Sequence, residues 1–199
     1  ARWLAAARDA GHPDHGRALA WRRRGEAYDV VRTLLAARAA GARRVFFEVH
    51  PQGGRAGADD DPLVARGEDG RWVRRPAWYA LEQARRALEG AREVTVEPRG
   101  DAGALYRIRF DAGHAPPWMR VVVPDPGRSW AGDPGGLPIV TQTAVRLPAG
   151  RYVTEPVRLG PGEAGRRARV VDGSVLPLEL TVAPLYLWPA SALGPRSTK

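Results

Sequence analysis

The sequence contains no cysteine, which excludes disulfides, thiolate metal sites and cysteine nucleophiles. Lysine is almost missing too. Lys199, the last residue, is the only one, so the positive charge is carried by arginine. Beside so much alanine, glycine and proline, this reads as a coding bias. No run approaches the about 18 uncharged apolar residues that mark a membrane span. No positive segment followed by an apolar stretch and a cleavage site marks a signal peptide. Zinc-finger, KH and RRM motifs are absent, and the arginines form no single basic block. The nearest to one is "WRRRGE" at Trp21 to Glu26. Nucleic acid is therefore not the expected partner, although a formal net charge of +9 favours anionic partners by steering.

What is present suits one or two modest domains with a real core: 199 residues, 44% of them hydrophobic. "RWLAAARDAG" predicts a short helix ended by Gly11, followed by a polar turn holding His12, Pro13 and His15. A clearer helix is predicted from about Glu26 to Ala40, where Tyr28, Val31, Leu34, Leu35 and Ala39 recur at helical spacing. Gly41 is its natural stop. Val45, Phe46, Phe47 and Val49 then predict a short strand buried on both faces, as in a parallel sheet covered by helices. Residues 51–75 read as a long loop, which is often functional. Its Asp59, Asp60 and Asp61 lack EF-hand spacing and read as solvated charge. Pro76 opens a helix that Gly90 closes, with Ala77, Leu81, Ala84 and Leu88 on one face and Trp78 beside it.

The period changes near residue 92. Val94 and Val96, then Tyr106, Ile108 and Phe110, alternate with polar neighbours. "MRVVV" at 119–123, "IVTQTAVRL" and "SVLPLELTV" continue in strand-like runs, and "PLYLWP" lies near the end. Such segments separated by Gly/Pro turns predict an antiparallel, sandwich-like system. "GDPGG" at 132–136 is a turn and lacks the residues of a phosphate loop. No G-x-S-x-G motif marks a serine nucleophile. The expected fold is thus an α/β part over 1–91 and an all-β part over 92–199. One clear strand cannot make a parallel sheet alone, so the first part is expected to be a truncation, a fragment, or a piece completed by another polypeptide.

"YDVVRTLLAARAAGARRVFFEVHPQ", a polar loop and "RRPAWYALEQARRALEG" together resemble the end of a glycoside hydrolase (β/α)8 barrel. There the seventh helix leads through a glycine into the eighth strand, and the eighth helix often opens with proline and aromatics. A small β-rich domain commonly follows, ending in strands like "LPLELTVAPLYL". The resemblance is to the families of this kind that act on plant or bacterial polysaccharide. It implies the end of a TIM barrel followed by a β-sandwich-like accessory domain, with carbohydrate as partner and no cofactor. It also implies a missing barrel segment, or another chain, to complete the sheet. The family's two catalytic glutamates stand at the ends of the fourth and seventh strands, which would precede this sequence. Retaining hydrolysis needs two carboxyl groups about 5 Å apart. Glu48 offers one and no motif places a second, so no catalytic residue is assigned and the chain alone is expected to be inactive.

Three residues remain as substrate contacts. Glu48 and His50 lie two apart on the expected strand and share a face. At the C-terminal end of a barrel strand they would face the mouth and could bond sugar hydroxyls or orient a catalytic carboxylate. An ion pair or cap at the sheet edge is the structural alternative. They are unconvincing as metal ligands, since no third donor stands at fixed spacing. Trp72, at the end of the long loop, could stack on a pyranose ring, or pack against the rim. Trp118 and Trp130, read as lying in turns of the β part, suit carbohydrate binding if exposed and serve as plugs between sandwich edges otherwise. Two other readings stand beside the hydrolase. One is a non-catalytic carbohydrate-binding or structural β module. The other is a basic scaffold for an anionic polymer.

Overall fold

The computed structural model describes residues 2–47, 63–67, 69–98, 103–111, 117–124, 141–161, 167–171 and 174–190. Helix α1 (Arg2–Arg8) lies against α2 (His15–Ala39) through Ala6, Ala7 and Ala18. The second helix begins well before Glu26, because "RALAWRRR" lacks helix breakers; Gly16 falls in the first turn and Gly25 is buried in the interior. Its expected face is the buried one. Tyr28, Val31 and Leu35 are in the core, and Leu34 and Ala39 pack against it. Gly41 follows at φ 88°, a left-handed stop.

The expected strand from Val45 is not formed over its described part. Residues 44–47 carry no regular structure, and Phe46 is 87% exposed rather than buried. A lone extended segment gains its ladder hydrogen bonds only from a neighbouring strand. Among the described residues no strand pairs with this one. Phe47 alone reaches the core.

The long loop read over 51–75 is in part a hairpin. Strands β1 (Val64–Arg66) and β2 (Trp72–Arg74) pair antiparallel around a turn with Gly70 at φ 76°. The Arg75 N–H donates to the Leu63 carbonyl at 2.9 Å, closing the hairpin base directly at the start of α3 (Pro76–Leu88). Proline sits in the first turn of α3, as expected. Ala77, Ala80, Ala84, Ala87 and Leu88 are buried, while Leu81 and Trp78 pack at the margin.

Among the described residues, every regular element from residue 91 on is a strand. Strands β3 (Ala91–Pro98), β4 (Ala104–Phe110), β5 (Trp118–Val123), β6 (Thr141–Arg146), β7 (Gly150–Pro156), β8 (Arg167–Val171), β9 (Val175–Leu180) and β10 (Leu185–Pro189) follow in order. Six form one antiparallel sheet, in the order β3-β4-β5-β10-β7-β8, and β6 and β9 form a separate two-stranded ribbon. The molecule combines a few helices with mostly antiparallel sheet.

The layers follow from strand alternation. Tyr106, Ile108, Met119, Val121 and Tyr186 face α2 and α3 and share one core with them. Leu105, Val122 and Leu187 point to the opposite face, where Val145, Leu176, Leu178 and Leu180 of the ribbon cover them. The helices and the ribbon thus sandwich the large sheet. One consequence is that a single core runs across residue 91, joining the helical and β parts.

Candidate functional site

Among the described residues, the sheet order leaves β3 at an edge, and the ribbon does not cover the whole of its side of the sheet. An open groove of about 550 Å³ lies there, on the outer ends of β3, β4 and β5. Residues that alternate with the core positions line it: Glu93, Thr95, Arg107, Arg109, Trp118 and Arg120. Backbone pairing fixes their arrangement. Thr95 stands opposite Arg107, and Arg107 opposite Arg120; in the next row Glu93 stands opposite Arg109, and Arg109 opposite Trp118.

Electrostatics and aromatics are interleaved in this groove. Arg107 pairs with Glu97, and Arg109 pairs with Glu93 at 3.3 Å. The Arg120 guanidinium stands 5.1 Å from the Trp118 ring centre and donates to the Arg146 carbonyl, tying the sheet to the ribbon. Trp118 also meets Tyr152, with ring centres 5.7 Å apart and planes tilted by 40°. The Tyr152 hydroxyl donates to the Pro148 carbonyl at 2.6 Å, and burial pushes its pKa up against the lowering effect of Arg120. Trp118 is therefore not in a turn, as its Pro-rich approach had implied, but opens β5 with its indole half-buried.

No family model, no curated protein and no solved structure matches this chain. The site is accordingly read from its own chemistry.

Of the residues singled out by sequence, Glu48 and His50 lie outside the described residues, as do Trp130, Asp59 to Asp61 and the "GDPGG" turn. Trp72 is described. It is 60% exposed on β2, opposite Arg66, whose guanidinium stands 5.5 Å from its ring centre. The aromatic face is thus presented outward but shared with a cation. Trp78 is partly buried against the core, with Arg74 at 5.1 Å from its ring centre.

The sequence reading missed a second polar cluster, buried between α3 and the sheet. Gln83 on α3 donates to Glu155 Oε1 at 3.0 Å and to the Pro156 carbonyl at 3.2 Å, and accepts from the Arg158 N–H at 2.8 Å. Arg158 Nε donates to Glu155 Oε1 at 3.2 Å. Glu155 is only 1% exposed, so these bonds are what make its burial tolerable. The fully buried Tyr186 stands opposite it on β10. On α2, burial raises the Glu26 pKa while its ion pair with Arg22, at 2.8 Å, opposes the shift. Among the described residues, no three His, Asp or Glu side chains are grouped to hold a metal ion. No described helix is long and apolar enough to cross a membrane.

Proposed function

We propose that the chain is the closing part of a glycoside hydrolase-like protein acting on the glycosidic bonds of a carbohydrate. In this reading residues 1–91 are the end of a (β/α)8 barrel and 92–199 an accessory β domain that braces it. The observation that carries the proposal is Phe46. A large aromatic in a run of strand-forming residues, between α2 and the hairpin that leads into α3, stands 87% exposed. Burying such a side chain is worth about 1.5–3 kcal/mol, so the segment is suited to docking against further strands. Helix α2, the irregular residues 44–47, the hairpin and the proline-started α3 follow in turn, an order that supports this reading, and the next residues enter the antiparallel sheet at once. Glu48 and His50, just beyond Phe47, and Trp72 serve as contacts to the sugar at the mouth. The acid and the nucleophile come from preceding strands, because hydrolysis needs a pair of carboxyl groups at a set separation.

The test is hydrolysis of a panel of aryl glycosides by this chain and by a polypeptide extended to include the preceding barrel. Activity is expected only in the extended protein, with Glu48→Gln lowering kcat/KM by about tenfold, the scale of one lost charged hydrogen bond. Activity of residues 1–199 alone, abolished by Glu48→Gln, would overturn the assignment. A non-catalytic carbohydrate-binding β module is the second reading. The half-buried Trp118, held among arginines on an open sheet face, favours it.

A further inference from the structure

We propose that the hairpin of β1 and β2 binds a sugar ring that carries an oxyanion, a carboxylate or a sulfate ester. Trp72 lies against the ring, and Arg66 and Arg74 hold the charged group. That the ligand is a saccharide rests on the carbohydrate reading above; the charged group is called for by the hairpin itself.

The register sets the arrangement. Arg66 stands opposite Trp72, and Val64 opposite Arg74, so these four side chains share one face of the hairpin. Arg66 and Arg74 are diagonal neighbours there, about 7–8 Å apart and within reach of each other's long side chains. Trp72 is the link between them, opposite the first and two residues from the second. The Arg66 guanidinium is 5.5 Å from the Trp72 ring centre, and the Arg74 guanidinium 5.1 Å from that of Trp78. Cations and indoles thus alternate along one face, and Arg66, Trp72 and Arg74 are all exposed.

The charges of this row are not matched from within. Among the described residues, neither Arg66 nor Arg74 meets a carboxylate; each is held only against its indole. Asp69 is the only acid among the hairpin's described residues, and it is committed to the turn. It accepts from the Arg71 N–H at 3.0 Å and faces Arg71 Nε at 3.7 Å. A guanidinium attracted to an indole by its charge still has its N–H donors available. Its planar fork matches the paired oxygens of a carboxylate or a sulfate, and one such group lodged between Arg66 and Arg74 relieves their mutual repulsion. The backbone that presents them is closed at both ends. Gly67 N–H donates to the Arg71 carbonyl at 2.7 Å, and Arg75 N–H to the Leu63 carbonyl at 2.9 Å. Little ordering is left to be done on binding.

The indole and the charge count favour a sugar over a polynucleotide. The exposed plane of Trp72 suits the CH groups of a pyranose. With Arg71 matched by Asp69, two guanidiniums remain. They fit one or two charges set among hydroxyls, not an unbroken run of phosphates.

The experiment is titration calorimetry of this chain with an oligogalacturonate, a sulfated oligogalactan, a neutral oligogalactan of equal length and an oligothymidylate. At least one acidic oligosaccharide is expected to bind about tenfold more tightly than the neutral one, and more tightly than the oligothymidylate. Which of the two binds better tells carboxylate from sulfate. The double substitution Arg66→Gln with Arg74→Gln is expected to weaken that binding about tenfold. Trp72→Ala, a separate exposed position, is expected to weaken it several-fold and guards against a folding defect in the double variant. Arg146→Gln with Arg151→Gln removes the same charge from exposed positions on the ribbon and at the start of β7, and is expected to leave binding unchanged. Equal binding of the neutral sugar overturns the proposal, as does tighter binding of the oligothymidylate. So does unchanged binding in both the Trp72 variant and a folded Arg66 and Arg74 variant, or an equal loss in the Arg146 and Arg151 variant. Glycoside cleavage by the extended protein is read independently of these titrations, so the two proposals fail separately.

Discussion

Tyr186 and Gln83 show how two buried polar groups on one interface are treated differently. The Gln83 amide is matched on both ends, donating to Glu155 and Pro156 and accepting from Arg158. The Tyr186 hydroxyl, with its side chain fully buried, makes no hydrogen bond among the described residues. Burial first, and then the neighbouring Glu155 carboxylate, push its pKa far above the usual phenol range. An unmatched buried hydroxyl costs about 1–3 kcal/mol, while the ring itself fills the core. Tyr186→Phe is therefore expected to raise the unfolding free energy by about 1 kcal/mol, read from urea denaturation at constant m. A loss of stability would show that the hydroxyl is bonded.

At the scale of elements, legibility followed periodicity and punctuation. The faces of α3 and of the second half of α2 were visible because each presents one apolar stripe, and their ends because Gly41 and Gly90 stop them. Gly90 adopts φ 73°, where a β-carbon is costly. Gly90→Ala is expected to lower stability by about 1 kcal/mol, seen as a lower midpoint of thermal unfolding; no change would mean that the turn relaxes freely. Strand β9 was legible because Leu176, Leu178 and Leu180 alternate over an outward-facing row. Strand β7 was not, because Tyr152 to Glu155 are all buried between two covered faces and one of them is a charged residue. The hairpin β1–β2 was hidden by length: three residues per strand give no period. The groove was hidden for another reason. Arg107 and Arg109 were visible as the polar side of β4, but only the register brings Arg120 opposite Arg107.

For the whole molecule, the large sheet is the organising layer. Val121 and Val122 point to opposite cores, one shared with the helices and one with the ribbon. That explains why the antiparallel character was predictable while the docking of α2 and α3 onto the same sheet was not: no residue pattern within a helix says which sheet covers it. It also leaves Phe46, 87% exposed, uncovered by either layer. In the proposed reading, the segment around Phe46 pairs with further barrel strands. Amide hydrogen exchange at residues 45–47 tests this most directly, comparing this chain with a polypeptide extended through the preceding barrel. In the short chain these amides are expected to exchange near the unprotected rate, and in the extended protein at least a hundredfold more slowly. Equal protection in both would contradict the claim that the segment needs a partner strand.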